Sequence, residues 1–257
     1  MFIPKIRVEI SDIDYNIGSI AELLYNDFKN NSLPFKERVY HTFPQLAERI
    51  KPGMTDSNIY DVVKAVIYDE YQNNYSFIEE RKEGLLQTIP DVLNRAIARM
   101  LDLFELEWPK EIEYISCYLG FYTVFPRDVL TKEYWLHYKT PEDIVIRASI
   151  HEINHFILFE KWKSMHGYTK KEQPSYPDVL WFLEEMAIDP TLNTEEIQSV
   201  APYPHKAYKC FYENTLNEVP IIDYIIKIFE NRKNIADFLD KSYEFIAENY
   251  NHIRKCV

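Results

Sequence analysis

His151, Glu152 and His155 stand together in the string HEINH. An α-helix turns about 100° per residue, so side chains four positions apart project from one face about one turn apart. Two imidazoles in that arrangement can grip one zinc ion at about 2 Å each. Glu152 points roughly 100° round the same helix, too far to be the natural third ligand. It can still reach a water on the open side of the ion, which is where a carboxylate serves as general base. The plain alternative is two helix histidines with no metal between them.

The helix itself is signalled independently of the motif. Thr140 can cap it, Pro141 suits the first helical position and Asp143 stands three residues after the cap. Lys161, Lys163 and His166, followed by Gly167, mark its end. Apart from Glu152, the stretch from Ala148 to Phe159 contains no residue of the Asp, Glu, Lys or Arg type. A second helix is expected in SYPDVLWFLEEMAIDP, capped by Ser175 or Asp178 and stopped by Pro190. Glu184, Glu185 and Asp189 interrupt its otherwise apolar run. Neighbouring helical residues differ by about 100°, so one of Glu184 and Glu185 can face a given point and the other cannot.

HEINH in an uncharged helical frame resembles the zincin metallopeptidases. The metzincin form, with a third histidine soon after the motif, is excluded because Leu158 and Lys161 occupy the positions where its glycine and histidine would stand. The gluzincin form, which takes a Glu from a downstream helix in a Glu-x-x-x-Asp pattern, is matched by Glu185 and Asp189. That resemblance implies a zinc ion held by His151, His155 and Glu185, with Glu184 as the competing third ligand. It also implies that Asp189 accepts a hydrogen bond from a ligand histidine. Glu152 would be the general base in peptide-bond hydrolysis. Gluzincins often place a Tyr or His downstream to stabilise the oxyanion, a role for which His205 and Tyr208 are the candidates. The resemblance covers about residues 110–190, and the strand region YISCYLGFYTVF stands where a zincin has its cleft-edge strand.

The rest of the chain must position these groups. Residues 2–10 alternate apolar and polar and read as a strand. Residues 11–109 read as three to five helices, with turns at Asn30-Asn31-Ser32, Lys51-Pro52-Gly53 and Asn73-Asn74, and with a helix starting at Pro90. EIEYISCYLGFYTVFP favours one or two strands, after which helix is expected to the end. The expected fold is α+β and mainly helical. A large helical region over 1–108 adjoins a zincin-like catalytic region with a small sheet over 109–257, the two most simply forming one compact unit.

A net charge of −12 opposes binding to phosphate backbones, so nucleic acid is not an expected partner; a peptide or protein substrate is. No stretch is long and apolar enough to span a bilayer, the N-terminus lacks a signal-peptide pattern, and three scattered cysteines do not make a disulfide framework. A cytoplasmic protein is expected. Two rival readings follow from the same residues. One is a deformylase-like zinc amidase that uses Cys117 as a ligand. The other is a non-catalytic metal-binding interaction protein, against which the intact Glu152 argues, because an inert site needs no base.

Overall fold

The computed structural model describes residues 2–26, 29–30 and 33–257. The chain is α+β and mainly helical, with a small mixed sheet. Strand β1 (Lys5–Ile10) leads into α1 (Ile13–Tyr25), then a two-residue hairpin of β2 (Lys29–Asn30) and β3 (Leu33–Pro34), then α2 (Phe35–Thr42) and α3 (Pro44–Arg49). Helix α4 (Asp56–Leu103) follows and runs for 48 residues. Strands β4 (Tyr114–Gly120), β5 (Arg127–Asp128) and β6 (Glu133–His137) complete the sheet. After them come α5 (Glu142–His166), α6 (Val179–Leu192), α7 (Glu195–Gln198), α8 (Lys209–Glu213), a short hairpin of β7 (Thr215–Leu216) and β8 (Val219–Pro220), and the terminal helices α9 (Ile221–Glu230), α10 (Ile235–Glu248) and α11 (Tyr250–Ile253).

The sheet order is β1-β4-β6-β5, with β1, β4 and β6 parallel and β5 antiparallel at one edge. Period-2 alternation puts Ile6, Val8, Ile115, Cys117, Leu119, Tyr134 and Leu136 on one buried face. That face looks onto α5, to which Tyr134 is fixed by a 2.7 Å hydrogen bond from its hydroxyl to Ser149. Because β1 pairs along all of β4, the first and second halves of the chain share one sheet, and a continuous buried cluster runs from Ile6 to Ile253. No helix among the described residues is long and apolar enough to cross a membrane.

Several local expectations are corrected. Asn73-Asn74 makes no turn: α4 passes through it, with Asn74 Nδ2 donating to the Glu70 carbonyl one turn back at 2.7 Å. Pro90 lies inside α4 and does not begin a helix. Its missing N–H and ring clash cost about 3 kcal/mol in a helix interior. Leu85, Ile89, Leu93, Ala96 and Ile97 around it are fully buried, and burying each large aliphatic side chain returns about 1.5–3 kcal/mol. The turn expected at Asn30-Asn31-Ser32 lies partly outside the described residues. The chain does not stay helical after the first strands, since β6 is a full member of the sheet. β4 is not a cleft edge, because β1 and β6 already occupy both of its sides; β1 and β5 are the edge strands. Pro141, not Thr140, occupies the cap position of α5, and Pro190 sits within α6, which ends at Leu192.

The close approach of α1 to the sheet depends on Gly120. Asn16, buried on α1, accepts a 2.8 Å hydrogen bond from the Phe121 backbone N–H. A Cβ on residue 120 would lie 2.3 Å from that same Asn16 oxygen. Gly120→Ala is therefore expected to destabilise the protein by about 1–3 kcal/mol, the usual cost of overpacking. Urea denaturation should show a lower midpoint with an unchanged slope, whereas Gly18→Ala, where an added Cβ meets nothing within 4 Å, should not lower it.

Candidate metal centre

The centre is built on α5 and α6, which cross beneath the sheet. Helix α5 is pinned at both ends of its active stretch. Arg81 on α4 donates to the Thr140 carbonyl at 2.9 Å where α5 begins, and Gly167 closes it in a left-handed conformation with φ of 73°. Between these points His155 is fully buried, Glu152 nearly so, and His151 is partly open to a cleft. The two imidazoles are 4.9 Å apart between centroids.

From α6, Glu185 completes the group. One ligand atom from each of His151, His155 and Glu185 can be chosen so that all three lie within 4.8 Å of one another. His155 Nε2 and Glu185 Oε2 are 3.9 Å apart. Ligands at about 2.0–2.1 Å from one tetrahedral zinc are separated by about 3.3 Å, so small side-chain adjustments bring this triad to bonding geometry. Neither ring nitrogen of His155 has a hydrogen-bond partner among the protein groups, although both are buried. A buried imidazole with two unmet nitrogens is costly unless something ligates it.

Sequence reasoning missed Arg127. Its guanidinium reaches in from edge strand β5, placing Nη2 3.1 Å from Glu184 Oε2 and Nη1 3.1 Å from Glu185 Oε1. The arginine therefore separates the two adjacent carboxylates by role: Glu184 meets it through Oε2 and leaves Oε1 buried without a partner, while Glu185 keeps its other oxygen toward His155. Arg127 is itself held by its backbone. Gln173 donates to the Arg127 carbonyl at 2.8 Å and accepts from the Val129 N–H at 3.0 Å. Lys132, buried in a left-handed turn with φ of 63°, ties the same segment to α5 through a 2.6 Å contact with Glu160. A lone basic residue in an aromatic stretch carries no spacing signal, so only the fold reveals it.

Asp189 does not orient a ligand histidine. It accepts from the Tyr212 hydroxyl and, at 3.0 Å, from Asn193. Asn193 in turn clamps the backbone of His205, donating to its carbonyl at 2.8 Å and accepting from its N–H at 3.1 Å. His205 thus reaches the cleft that His151 and Glu152 line, with its Nε2 buried and unpartnered. Tyr208 stacks on Trp181 of α6, with centroids 5.6 Å apart. It borders a neighbouring hollow of about 400 Å³ that shares Phe125 with the His205 cleft of about 440 Å³. Cys117 is not part of the triad. It lies buried in β4, where desolvation pushes its thiol up to about 12 and disfavours the thiolate that a metal requires.

Burial dominates the electrostatics. It lowers His151 to about 3 and His155 well below its ordinary value, with the Arg127 charge adding to both, so both imidazoles are neutral and free to ligate. Burial also lifts Glu152 to about 8 and Glu184 to about 7, against the opposing pull of Arg127, and raises Glu185. Family models, curated proteins and solved structures give no match to this chain.

Two outcomes are expected. In the presence of a chelator, Glu152 binds its proton more tightly in the folded state than when unfolded. Its contribution to stability is thus present below about pH 4.5 and lost as pH rises through about 8. The stability of wild type relative to Glu152→Gln should therefore fall between pH 5 and 9, by on the order of a few kcal/mol in denaturant titrations. Arg127→Leu leaves Glu184 and Glu185 buried without their cation. It should cost about 3–5 kcal/mol at pH 8 and clearly less at pH 5, where the carboxylates take up protons.

Proposed function

We propose that this chain is a zinc-dependent hydrolase of peptide bonds, with His151, His155 and Glu185 as the metal ligands and Glu152 as general base. The observation that carries the reading is the meeting of three ligand atoms from two helices within 4.8 Å, beside a cleft into which Glu152 also opens. The spacing of HEINH accounts for two of those ligands. Glu185 arrives from a separate helix, and its proximity is not a consequence of the motif.

Zinc held there would polarise the scissile carbonyl and acidify the attacking water. Glu152 takes the proton of that water and later hands it to the departing amine, a role that suits a carboxyl whose proton affinity burial has moved toward neutral pH. Arg127 keeps Glu185 from swinging away and holds Glu184 out of the coordination sphere. His205, neutral because burial lowers it to about 4, can donate an N–H toward oxyanion charge developing in the cleft. The hydroxyl of Tyr208 lies within the fields of Glu185, Arg127 and Glu152 and is the second candidate for that donation.

The deciding experiment measures metal by mass spectrometry and peptide cleavage in parallel. Purified protein is expected to carry about one zinc per chain, lost or much weakened in His155→Ala and Glu185→Ala but kept in Glu184→Gln. Glu152→Gln should keep its zinc and lose roughly 10²–10⁴ of turnover, the usual share of a general base. Full activity in Glu152→Gln, or wild type that refuses added zinc, would sink the reading.

A further inference from the structure

The cleft beside His151 and Glu152 has a composition unlike that of the chain as a whole. The protein carries a net charge of −12, yet apart from Glu152 itself no acidic residue among the described residues lines this cleft. Phe125, Ile144 and Pro204 give it apolar walls, and two cations, Arg147 and Lys206, open onto it. Arg147 comes from α5 one turn before His151, on the same face, and Lys206 comes from the segment that Asn193 and Asp189 hold against α6. Neither has an ion-pair partner among the described residues; the ammonium of Lys206 sits 5.8 Å from the Tyr212 ring centroid. Acidic side chains outnumber basic ones by 41 to 29, so two unpaired cations beside the candidate base run against the composition.

We infer that Arg147 and Lys206 bind a substrate carboxylate close to the bond being cut, an inference that rests on the peptidase reading above. Four helical residues separate Arg147 from His151, or about 6 Å along the axis. An extended peptide advances about 3.3–3.6 Å per residue, so the carboxylate belongs to the residue adjoining the scissile bond or to the next one. Arginine supplies a planar fork for a carboxylate, and lysine supplies a mobile point charge. Both cations are exposed at the mouth of the cleft, so their attraction for a carboxylate is of the kind that salt screens. Two sources present this chemistry: an Asp or Glu side chain within a longer peptide, or the C-terminal carboxylate of a short one.

The test uses the full-length, zinc-loaded Glu152→Gln variant, in which binding is read without turnover. Three N-acetylated hexapeptides of one apolar sequence are compared by calorimetry: one amidated and neutral, one amidated with a single Glu scanned through its positions, and one with a free C-terminal carboxylate. At least one carboxylate peptide is expected to bind about tenfold or more tighter than the neutral one. The peptide that gains tells which source the site reads. That advantage should shrink in high salt and vanish in Arg147→Gln/Lys206→Gln on the same background, checked for an unchanged zinc content and unfolding midpoint. Equal affinity for all three peptides, including no measurable binding of any, overturns the inference, as does an advantage that survives the double substitution. The peptidase reading fails separately: wild type with zinc would leave all three peptides uncut even while the affinity pattern held.

Discussion

The Arg127 fork across Glu184 and Glu185 is the interaction on which the centre depends. Three carboxylates, Glu152, Glu184 and Glu185, are buried within a few side chains of one another, and one guanidinium faces them. If all three ionise, two negative charges remain uncompensated in a low-dielectric interior, a condition that proteins relieve by protonation or by a bound cation. The raised proton affinities of Glu152 and Glu184 are the first of these responses. A single divalent ion on the His151–His155–Glu185 side would supply the missing two charges. The histidines are already suited to this, because burial keeps them neutral and leaves their nitrogens available.

The rest of the fold can be understood as the support for that fork. Arg127 sits on the edge strand, where the antiparallel pairing of β5 with β6 presents its side chain toward α6. Two contacts of unequal kind hold the strand there: neutral amide bonds from Gln173 to the backbone, and the buried Lys132–Glu160 pair to α5. Removing one member of such a pair leaves an uncompensated buried charge, so loss of either Lys132 or Glu160 alone would disturb the contact between the β5–β6 turn and α5. Long α4, about 70 Å by its residue count, packs against α1, β1 and α5 and brings Arg81 to the start of α5.

The legible part of the site was that in which sequence neighbours are spatial neighbours. His151, Glu152 and His155 share a helix whose terminal glycine is visible in the sequence, and the helical period alone puts the imidazoles together. Glu185 was legible through its spacing to Asp189, although that spacing proved to serve another purpose. Arg127 was not legible, because its meeting with Glu184 spans 57 positions and nothing local records it. In the fold, the errors share one cause. Asn73-Asn74 and Pro90 are local signals worth a few kcal/mol at most, and they were overridden by the burial of an apolar stripe whose partner surfaces lie elsewhere in the chain. β6 was missed because five residues of mixed aromatic and charged character become a strand only through pairing with β4.

Asp189 shows how one spacing can serve two geometries. Residues four apart on α6 face the same side, displaced by about one turn, or about 6 Å along the axis. In α6 that displacement carries Asp189 past the imidazoles to the end of the helix, where Tyr212 and Asn193 meet it. Asn193 then fixes the His205 backbone through paired hydrogen bonds, and Tyr212 accepts from the Ala207 N–H at 3.0 Å. The carboxylate that was expected to set a ligand's tautomer instead sets the far wall of the cleft. A single helix thus presents a histidine-facing oxygen at Glu185, an arginine-facing one at Glu184 and, through Asp189 and Asn193, the segment that carries His205, Lys206 and Tyr208. The relative placement of ligand and cleft wall is therefore a property of α6, and a shift of that helix by one residue would displace all of them together.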